Sequence, residues 1–172
     1  HLFSSAASDV YKRQVLLLMK LINKLQQLIP EYKLTSAPPL GSYVPIKEAG
    51  SLIYISGQLP FEGQSLITGK VPDETSIDEA VKASRISILN TLTIILNYNP
   101  QISINDLSCI NISGFVNSTD SFSEHPMIIN GASDFLYDVL GEQGKHSRIA
   151  IGCNSLPKNA SVEISSIFQK KS

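Results

Sequence analysis

A long amphipathic helix over residues 76–97 is the sequence feature that most constrains the fold. Ser76 and Glu79 form a capping box, in which a serine hydroxyl and a glutamate carboxylate bond the free amides at a helix start. A mainly apolar stripe follows at spacings of three and four: Ile77, Ala80, Val81, Ser84, Ile88, Leu92 and Ile95. A stripe of this length has to be buried against another layer of structure, so the helix predicts a second layer that covers it.

The other patterns of the chain supply that layer. β-branched and aromatic residues predict strands at 51–56 and 107–116, and alternation predicts two more, RIAIGC and SVEIS, near the C-terminus. A second amphipathic helix is predicted at about 123–140, with Gly141 as its stop. This order of elements predicts an α+β fold with both helices packed on one face of a single sheet. The other face would be uncovered, and we expect another subunit to cover it.

The N-terminal stretch is predicted to lie outside the functional domain. The letters DVYKRQ at residues 9–14 match the in-frame translation of a transposase sequencing adapter, so residues 1–18 are expected to be a non-native leader. Residues 19–36 are predicted to form a short amphipathic helix and a linker, and residues 37–172 the domain itself. Lys20 interrupts an apolar run that is far shorter than the ~20 residues of a membrane span, so we expect no membrane association.

Composition and charge exclude several classes of function. A net charge of -1 and a pI near 6.3 predict no basic surface for phosphate groups, so nucleic acid is not an expected partner. Cys109 and Cys153 form no CxxC pair, and we expect them to be core residues in a reducing, cytoplasmic compartment. His125 and His146 match no metal motif, and no glycine spacing fits a phosphate loop, so neither a metal nor a cofactor is expected.

A single arginine at the head of an apolar strand is the strongest candidate for a binding residue. Alternation places Arg148, Ala150 and Gly152 on one face of that strand, so two small residues leave open space in front of the cation. In the last strand, Glu163 points to the face opposite Val162. Spacing is equally compatible with an anion site and with an edge-strand arginine that pairs with a carboxylate in water.

Several tracts give the chain a resemblance to a known family. They are G-S-Y at 41–43, AGSLIYISGQLP at 49–60, IINGAS at 128–133, and SRIAIG with LPKNASVEI near the end. Together they resemble the RidA/YjgF family of reactive-intermediate deaminases, once described as L-PSP endoribonucleases, and most of all a longer, less characterised branch of it. The resemblance implies a chorismate-mutase-like fold that assembles as a homotrimer, with ligand clefts at the subunit interfaces.

The resemblance also implies an activity. The best-known members of the family hydrolyse reactive 2-imino acids, formed from enamines such as 2-aminoacrylate, to 2-oxo acids and ammonia, and they use no cofactor. By this resemblance, Arg148 holds the substrate carboxylate and Glu163 positions the attacking water. The residues that it implies as the lining of the same cleft are Tyr43, Ser56, Gly57 and Asn130.

Departures from the family pattern leave other functions open. Ala150 replaces a cysteine that often follows the arginine, and His146-Ser147 replaces a proline before it. The alternative is a trimer that binds a small 2-imino or 2-oxo acid without turning it over, although Glu163 favours the enzyme because a second carboxylate is unfavourable beside a bound anion. Ribonuclease activity is disfavoured by the near-neutral charge. His146 is either an exposed turn residue or a member of the site.

Overall fold

The computed structural model of the protein describes residues 41–99 and 102–171. The predicted leader at 1–18 and the predicted helix and linker at 19–36 lie outside the described residues. The described part forms a mixed sheet with two long helices, in the order of elements that the sequence predicts.

The described part contains two α-helices and seven strands. In chain order they are β1 (Ile46–Ala49), β2 (Leu52–Gln58), β3 (Phe61–Glu62), β4 (Ser65–Leu66), α1 (Ile77–Tyr98), β5 (Leu107–Asn117), α2 (His125–Leu140), β6 (Ser147–Cys153) and β7 (Val162–Lys170). Short 3-10 helices lie at Ile104–Asp106, Gly141–Gly144 and Pro157–Asn159. The Ser76 hydroxyl accepts a 3.2 Å hydrogen bond from the Glu79 amide, so the serine half of the predicted capping box is confirmed.

Five strands form one mixed sheet in the order β1-β2-β7-β5-β6. Neighbouring strands are antiparallel, except that β5 and β6 run parallel and are connected through α2. β6 is therefore an edge strand, and β5 separates it from β7, which follows it in sequence. β3 and β4 form a separate small hairpin. The prediction of a single sheet missed this hairpin, which Gly63 permits because its φ of 66° suits a tight reversal of the chain.

Both helices pack on the same face of the five-stranded sheet, as predicted. The central strands present buried apolar side chains to this face: Ile53, Ile55, Ile112, Val116, Val162, Ile164 and Phe168. α1 packs against β2 and β7, and α2 packs against β5 and β6. A side chain at Gly114 of β5 would collide with Ile129 of α2, so this glycine lets the helix approach the sheet closely. One apolar core therefore lies between the helices and the sheet.

The opposite face of the sheet carries partly exposed apolar side chains. Ile149 and Ile151 of β6 are 48% and 40% exposed, and Tyr54 of β2 is 42% exposed. Alternation along β6 separates the two isoleucines from Ala150, which packs against the core. The two described helices both lie on the other side of the sheet, so this apolar face is open within residues 41–99 and 102–171.

The two helices approach each other closely at Gly131 of α2. The hydroxyl of Ser84 in α1 donates a 2.7 Å hydrogen bond to the carbonyl of Ile128 in α2. A Cβ atom at Gly131 would overlap the carbonyl oxygen of Val81 in α1. The absence of a side chain at this position therefore permits the close helix crossing.

We expect Gly131→Ala to lower the free energy of unfolding by roughly 1–3 kcal/mol, because the added methyl group would force the helices apart. Urea denaturation followed by circular dichroism measures the change. Asp134→Ala, at an exposed position of the same helix, is the control and should remain within about 0.5 kcal/mol of wild type. Equal unfolding free energies for the two variants would show that the helices adjust to the methyl group without cost.

Candidate functional site

A cavity of about 540 Å³ lies beside the carboxylate of Glu163. Its lining residues are Tyr43, Ser56, Gly57, Leu59, Pro157 and Glu163. Glu163 pairs with Phe115 across the sheet and points away from the helices, because its neighbours Val162 and Ile164 are buried in the core. The cavity therefore brings together several of the residues that the sequence predicts for the site.

Gly57 provides the space that the Glu163 carboxylate occupies. A Cβ atom at position 57 would overlap that carboxylate. The register of β2 against β7 shifts between Ile55 and Gln58, so the backbone at Gly57 leaves the regular pleat where it passes the acid. A side chain at position 57 would therefore displace the flexible end of the Glu163 side chain from its place beside the cavity.

Two hydrogen bonds of Ser56 hold the segment before β1 against β2. The Ser56 hydroxyl donates to the carbonyl of Val44 at 2.8 Å, and its amide donates to the carbonyl of Pro45 at 3.0 Å. Tyr43, the next residue toward the N-terminus, consequently lies at the cavity. Ser56 thus has a structural role in addition to the lining role that the family resemblance implies.

The environment of Glu163 favours its protonated form. The carboxyl group is half-buried, and burial raises its pKa above the ordinary value. Burial, followed by the negative charge of Glu163, also raises the pKa of the Cys153 thiol, which indicates that the two side chains are close. No hydrogen bond or ion pair to this carboxylate is found among the described residues. A carboxylate of this kind is suited to hold a water molecule and to take a proton from it.

Arg148 lies at a second cavity, of about 300 Å³, on the helix side of β6. Its Nη1 donates to Ser133 Oγ at 2.9 Å, and its Nη2 donates to the Pro126 carbonyl at 3.3 Å, so both contacts are with α2. The residues that line this cavity are Ser133, Tyr137, Gly144, Lys145, His146 and Arg148. The side chain is exposed, and a guanidinium has five N–H donors, so donors remain for an anion. α2 thus holds a cation in place at the edge of the sheet.

The predicted site residues fall into two groups within one chain. The residues that share the larger cavity are Tyr43, Ser56, Gly57 and Glu163. Arg148 pairs with Ile112, which faces the core, whereas Glu163 pairs with Phe115 on the open face. Asn130 lies exposed on α2, on the Arg148 side, and lines neither cavity. Arg148 and Glu163 consequently cannot share one ligand within a single copy of the described chain.

Sequence reasoning missed Ser133, which accepts a hydrogen bond from Arg148 and lies 3.0 Å from His146 Nε2. A signal for it exists, because Pro126, Asn130 and Ser133 follow at spacings of four and three and therefore share one face of α2. His146 is not a fully exposed turn residue, because its half-buried ring lines the Arg148 cavity.

A third cavity, of about 290 Å³, contains a second serine–histidine pair near the end of β6. Ser118 Oγ lies 3.0 Å from His125 Nε2, and Gly152 makes room for this pair because a Cβ atom there would overlap the imidazole. Cys153 lines the same cavity. Cys109, by contrast, is a buried core residue, as predicted, and burial raises the pKa of its thiol to about 12.

Neither a metal-binding cluster nor a membrane-spanning helix is found among the residues at 41–99 and 102–171. No group of three or more histidine, cysteine, aspartate or glutamate side chains that could hold a metal ion occurs among them. None of their helices is long and apolar enough to cross a membrane.

These features define a small α+β protein with an arginine anchored at a sheet edge and a half-buried carboxylate in a separate cavity. Residues 27–169 match the model of the family described as "YjgF/chorismate_mutase-like, putative endoribonuclease". The chain belongs to this family. This match confirms the family resemblance inferred from the sequence, and solved structures of a RidA protein and of a "putative endoribonuclease L-PSP" share the fold.

Three similar proteins illustrate how far the similarity extends. Protein TCP17 of Trypanosoma cruzi is 31% identical over 140 residues, which span 78% of this chain and 84% of that protein. The crystal structure of Atu1372 from Agrobacterium tumefaciens, a protein of unknown function, has a sequence 34% identical to this chain and a TM-score of 0.78. The match covers 99% of this chain and 98% of Atu1372. A "putative endoribonuclease" from Shewanella oneidensis MR-1 is 27% identical with a TM-score of 0.78, and the match covers 88% and 99% of the two chains.

We expect Glu163→Gln to raise the free energy of unfolding at neutral pH, by less than about 1 kcal/mol because the group is only half-buried. The folded-state pKa of Glu163 is raised. Wild type therefore equals the variant below the unfolded-state pKa of about 4.3 and loses stability relative to it as the pH rises through the folded-state pKa.

Urea denaturation at about pH 4 and about pH 7 measures this difference on either side of the titration. Asp134→Asn removes an exposed carboxylate from α2 and serves as the control for the loss of one acidic side chain. If Glu163→Gln is no more stable than wild type at neutral pH, burial does not destabilise the charged form.

Proposed function

We propose that the protein hydrolyses 2-imino acids to 2-oxo acids and ammonia. The observation that carries the proposal is an exposed arginine anchored on α2, in a chain that also holds a half-buried carboxylate beside a large cavity. A guanidinium orients a planar carboxylate through paired N–H donors. A carboxylate with a raised pKa can take a proton from water. An enzyme that accelerates hydrolysis of a 2-imino acid can use both capacities.

In the proposed reaction, Arg148 binds the carboxylate of the imino acid and Glu163 holds the attacking water. The water oxygen bonds to C2 of the protonated imine while Glu163 accepts a proton, which gives a carbinolamine. Glu163 returns that proton to the nitrogen, the C–N bond breaks as the carbonyl forms, and the hydroxyl proton leaves with the nitrogen as ammonium. Imines hydrolyse readily in water, so positioning and proton transfer suffice, and no cofactor is needed.

We propose further that the active form is a homotrimer, in which Arg148 of one subunit meets the Glu163 cavity of its neighbour. The placement of the two residues on opposite faces of the sheet supports this proposal. The edge strand β6 supports it too, because it exposes Ile149 and Ile151 beside backbone groups that pair with β5 on one side only. Such a surface is suited to a second copy of the chain.

The remaining predicted residues would line the cleft from the two neighbouring subunits. Tyr43 and Gly57 would come with the Glu163 cavity. Asn130 would come with Arg148, because it follows Pro126 by one helical turn on the face of α2 that contacts the arginine. We also propose a cytoplasmic location, since a short-lived imine has to be met where dehydratases release it.

Arg148→Ala should lower kcat/KM for imine hydrolysis by at least about 100-fold, because the substrate carboxylate loses the cation that orients it. Ammonia release from enzymatically generated 2-imino acids, over a panel of side chains, measures the effect. Lys47→Ala removes a positive charge from an exposed position of β1 and should retain wild-type turnover.

Wild-type turnover by Arg148→Ala would refute the assigned role. Two results together, no acceleration of any imine by the wild-type protein and measurable binding of a 2-oxo acid, would favour a non-catalytic trimer that binds small carboxylates. That alternative needs only Arg148, whose exposed guanidinium is anchored on α2 and lines a cavity of its own.

Ile151→Lys should disrupt the proposed trimer, because a charge would replace an apolar side chain on the open face of β6. Light scattering coupled to size exclusion measures the mass, and circular dichroism checks that the subunit remains folded. Tyr98→Lys, at an exposed aromatic position near the end of α1, is the matched control and should keep the wild-type mass. A wild-type mass for Ile151→Lys would exclude this face from the subunit contact.

A further inference from the structure

Ser133 and His146 connect Arg148 to the backbone through a continuous chain of hydrogen bonds. Arg148 Nη1 lies 2.9 Å from Ser133 Oγ, and Ser133 Oγ lies 3.0 Å from His146 Nε2. The chain ends at the Gly144 carbonyl oxygen, 2.6 Å from His146 Nδ1. All four residues line the cavity of about 300 Å³, so an anion held there by Arg148 would lie beside this chain of bonds.

The chemistry of the two ends gives the chain of bonds one direction. A carbonyl oxygen only accepts, so Nδ1 of His146 carries a proton in every state. A guanidinium only donates, so Ser133 Oγ accepts from Arg148. When His146 is neutral, its Nε2 has a lone pair, and the Ser133 hydroxyl donates to it. The hydroxyl hydrogen is then engaged with the imidazole rather than with a ligand.

Protonation of His146 redirects the hydroxyl hydrogen of Ser133. Nε2 then donates to Ser133 Oγ, which already accepts from Arg148, so the hydroxyl hydrogen has to point elsewhere. The cavity offers a bound anion as the new acceptor. An anion would then meet the guanidinium, a hydroxyl donor and a second positive charge in one place.

We propose that Ser133 and His146 are positioning residues for Arg148, which binds the substrate carboxylate more tightly when His146 is protonated. The inference rests on the proposed function, because that function assigns the carboxylate to Arg148. It adds a regulatory property of the same site, since recognition of the 2-imino acid would respond to pH through a residue that does not touch the reacting atoms.

The sign of the response follows from the groups beside His146. Burial lowers the pKa of His146, the Gly144 carbonyl raises it, and the charge of Arg148 lowers it further. A carboxylate on Arg148 offsets that positive charge and therefore raises the pKa of His146 in the complex. By linkage, the protein should bind carboxylates more tightly as the pH falls through the pKa of His146.

The other charged or titratable groups near the ring lie on three elements. Lys145, which precedes the histidine, forms a 2.8 Å ion pair with Glu142 of the 3-10 helix. This pairing raises the pKa of Lys145 and lowers that of Glu142, so both stay charged around neutral pH. α2 contributes Tyr137, and β6 contributes Arg148.

The second serine–histidine pair provides a matched comparison. Ser118 Oγ and His125 Nε2 are also 3.0 Å apart. The residues around that pair are Ser118, Thr119, Asp120, Phe122, His125, Gly152, Cys153 and Asn154, with no arginine among them. Substitution of His146 should therefore change anion binding by Arg148, whereas substitution of His125 should not.

The test is the pH dependence of 2-oxobutanoate binding, measured by isothermal titration calorimetry from about pH 5 to about pH 8 on the full-length protein. Every protein carries Glu163→Gln, which removes the half-buried carboxyl whose pKa is raised and prevents its titration from contributing. In this background, we expect Kd to fall roughly three- to tenfold from high to low pH, which is the net size of one ordinary added hydrogen bond.

Three added variants separate positioning from simple structural support. His146→Gln keeps an acceptor for Ser133 and a donor for Gly144 but cannot be protonated, so Kd should no longer change with pH. Ser133→Ala should weaken binding at every pH and reduce the pH dependence, because the hydroxyl donor is lost while the charge of protonated His146 remains. His125→Gln should retain the pH dependence of the background.

Survival of the pH dependence in His146→Gln would overturn the proposal, and so would its equal loss in His125→Gln or an absence of binding at every pH. The proposed function is judged separately, by imine hydrolysis with Glu163 intact. Normal hydrolysis, together with an unchanged pH dependence of Kd in His146→Gln, would reject only the proposed effect of His146 on Arg148. A His146-dependent Kd without any hydrolysis would reject only the deaminase activity.

Discussion

The pairing of β5 with two neighbours of opposite direction determines where the charged groups of this protein point. β5 runs parallel to β6 and antiparallel to β7, and side chains in register across a sheet share a face. Ile112 and its partner Arg148 consequently face the helices, whereas Phe115 and its partner Glu163 face the open side. A shift of one residue in either pairing would exchange these faces, so the site depends on the same register that buries the core.

Packing of the two helices positions the groups that contact Arg148. Gly114 allows α2 to approach β5, and Gly131 allows the same helix to approach α1, so α2 is restrained on two sides. Ser133 and the Pro126 carbonyl belong to that restrained helix and contact Arg148. The cation is exposed but hydrogen-bonded to α2, and packing of the core positions the groups that bind it.

Much of this arrangement could be predicted from the sequence. Local patterns specify α1, since a capping box and a periodic stripe leave little choice, and alternation specifies the faces of Arg148 and Glu163 along their own strands. Alternation carries no information about which strand lies between two others, so the separation of these two residues by β5 required the structure. The β3–β4 hairpin was missed because two-residue strands are too short to show a period, and Ser133 because small polar residues are common on helices.

The contact between Gly57 and Glu163 has a consequence for comparing members of this family. The backbone at one position fills the volume that a side chain would take, and the acid at the other extends into that volume. We therefore expect the two positions to covary, because a larger residue at the first would displace or replace the acid at the second. Paired inspection of these two positions would sort family members by whether they retain this carboxylate, even where overall identity is too low to distinguish their activities.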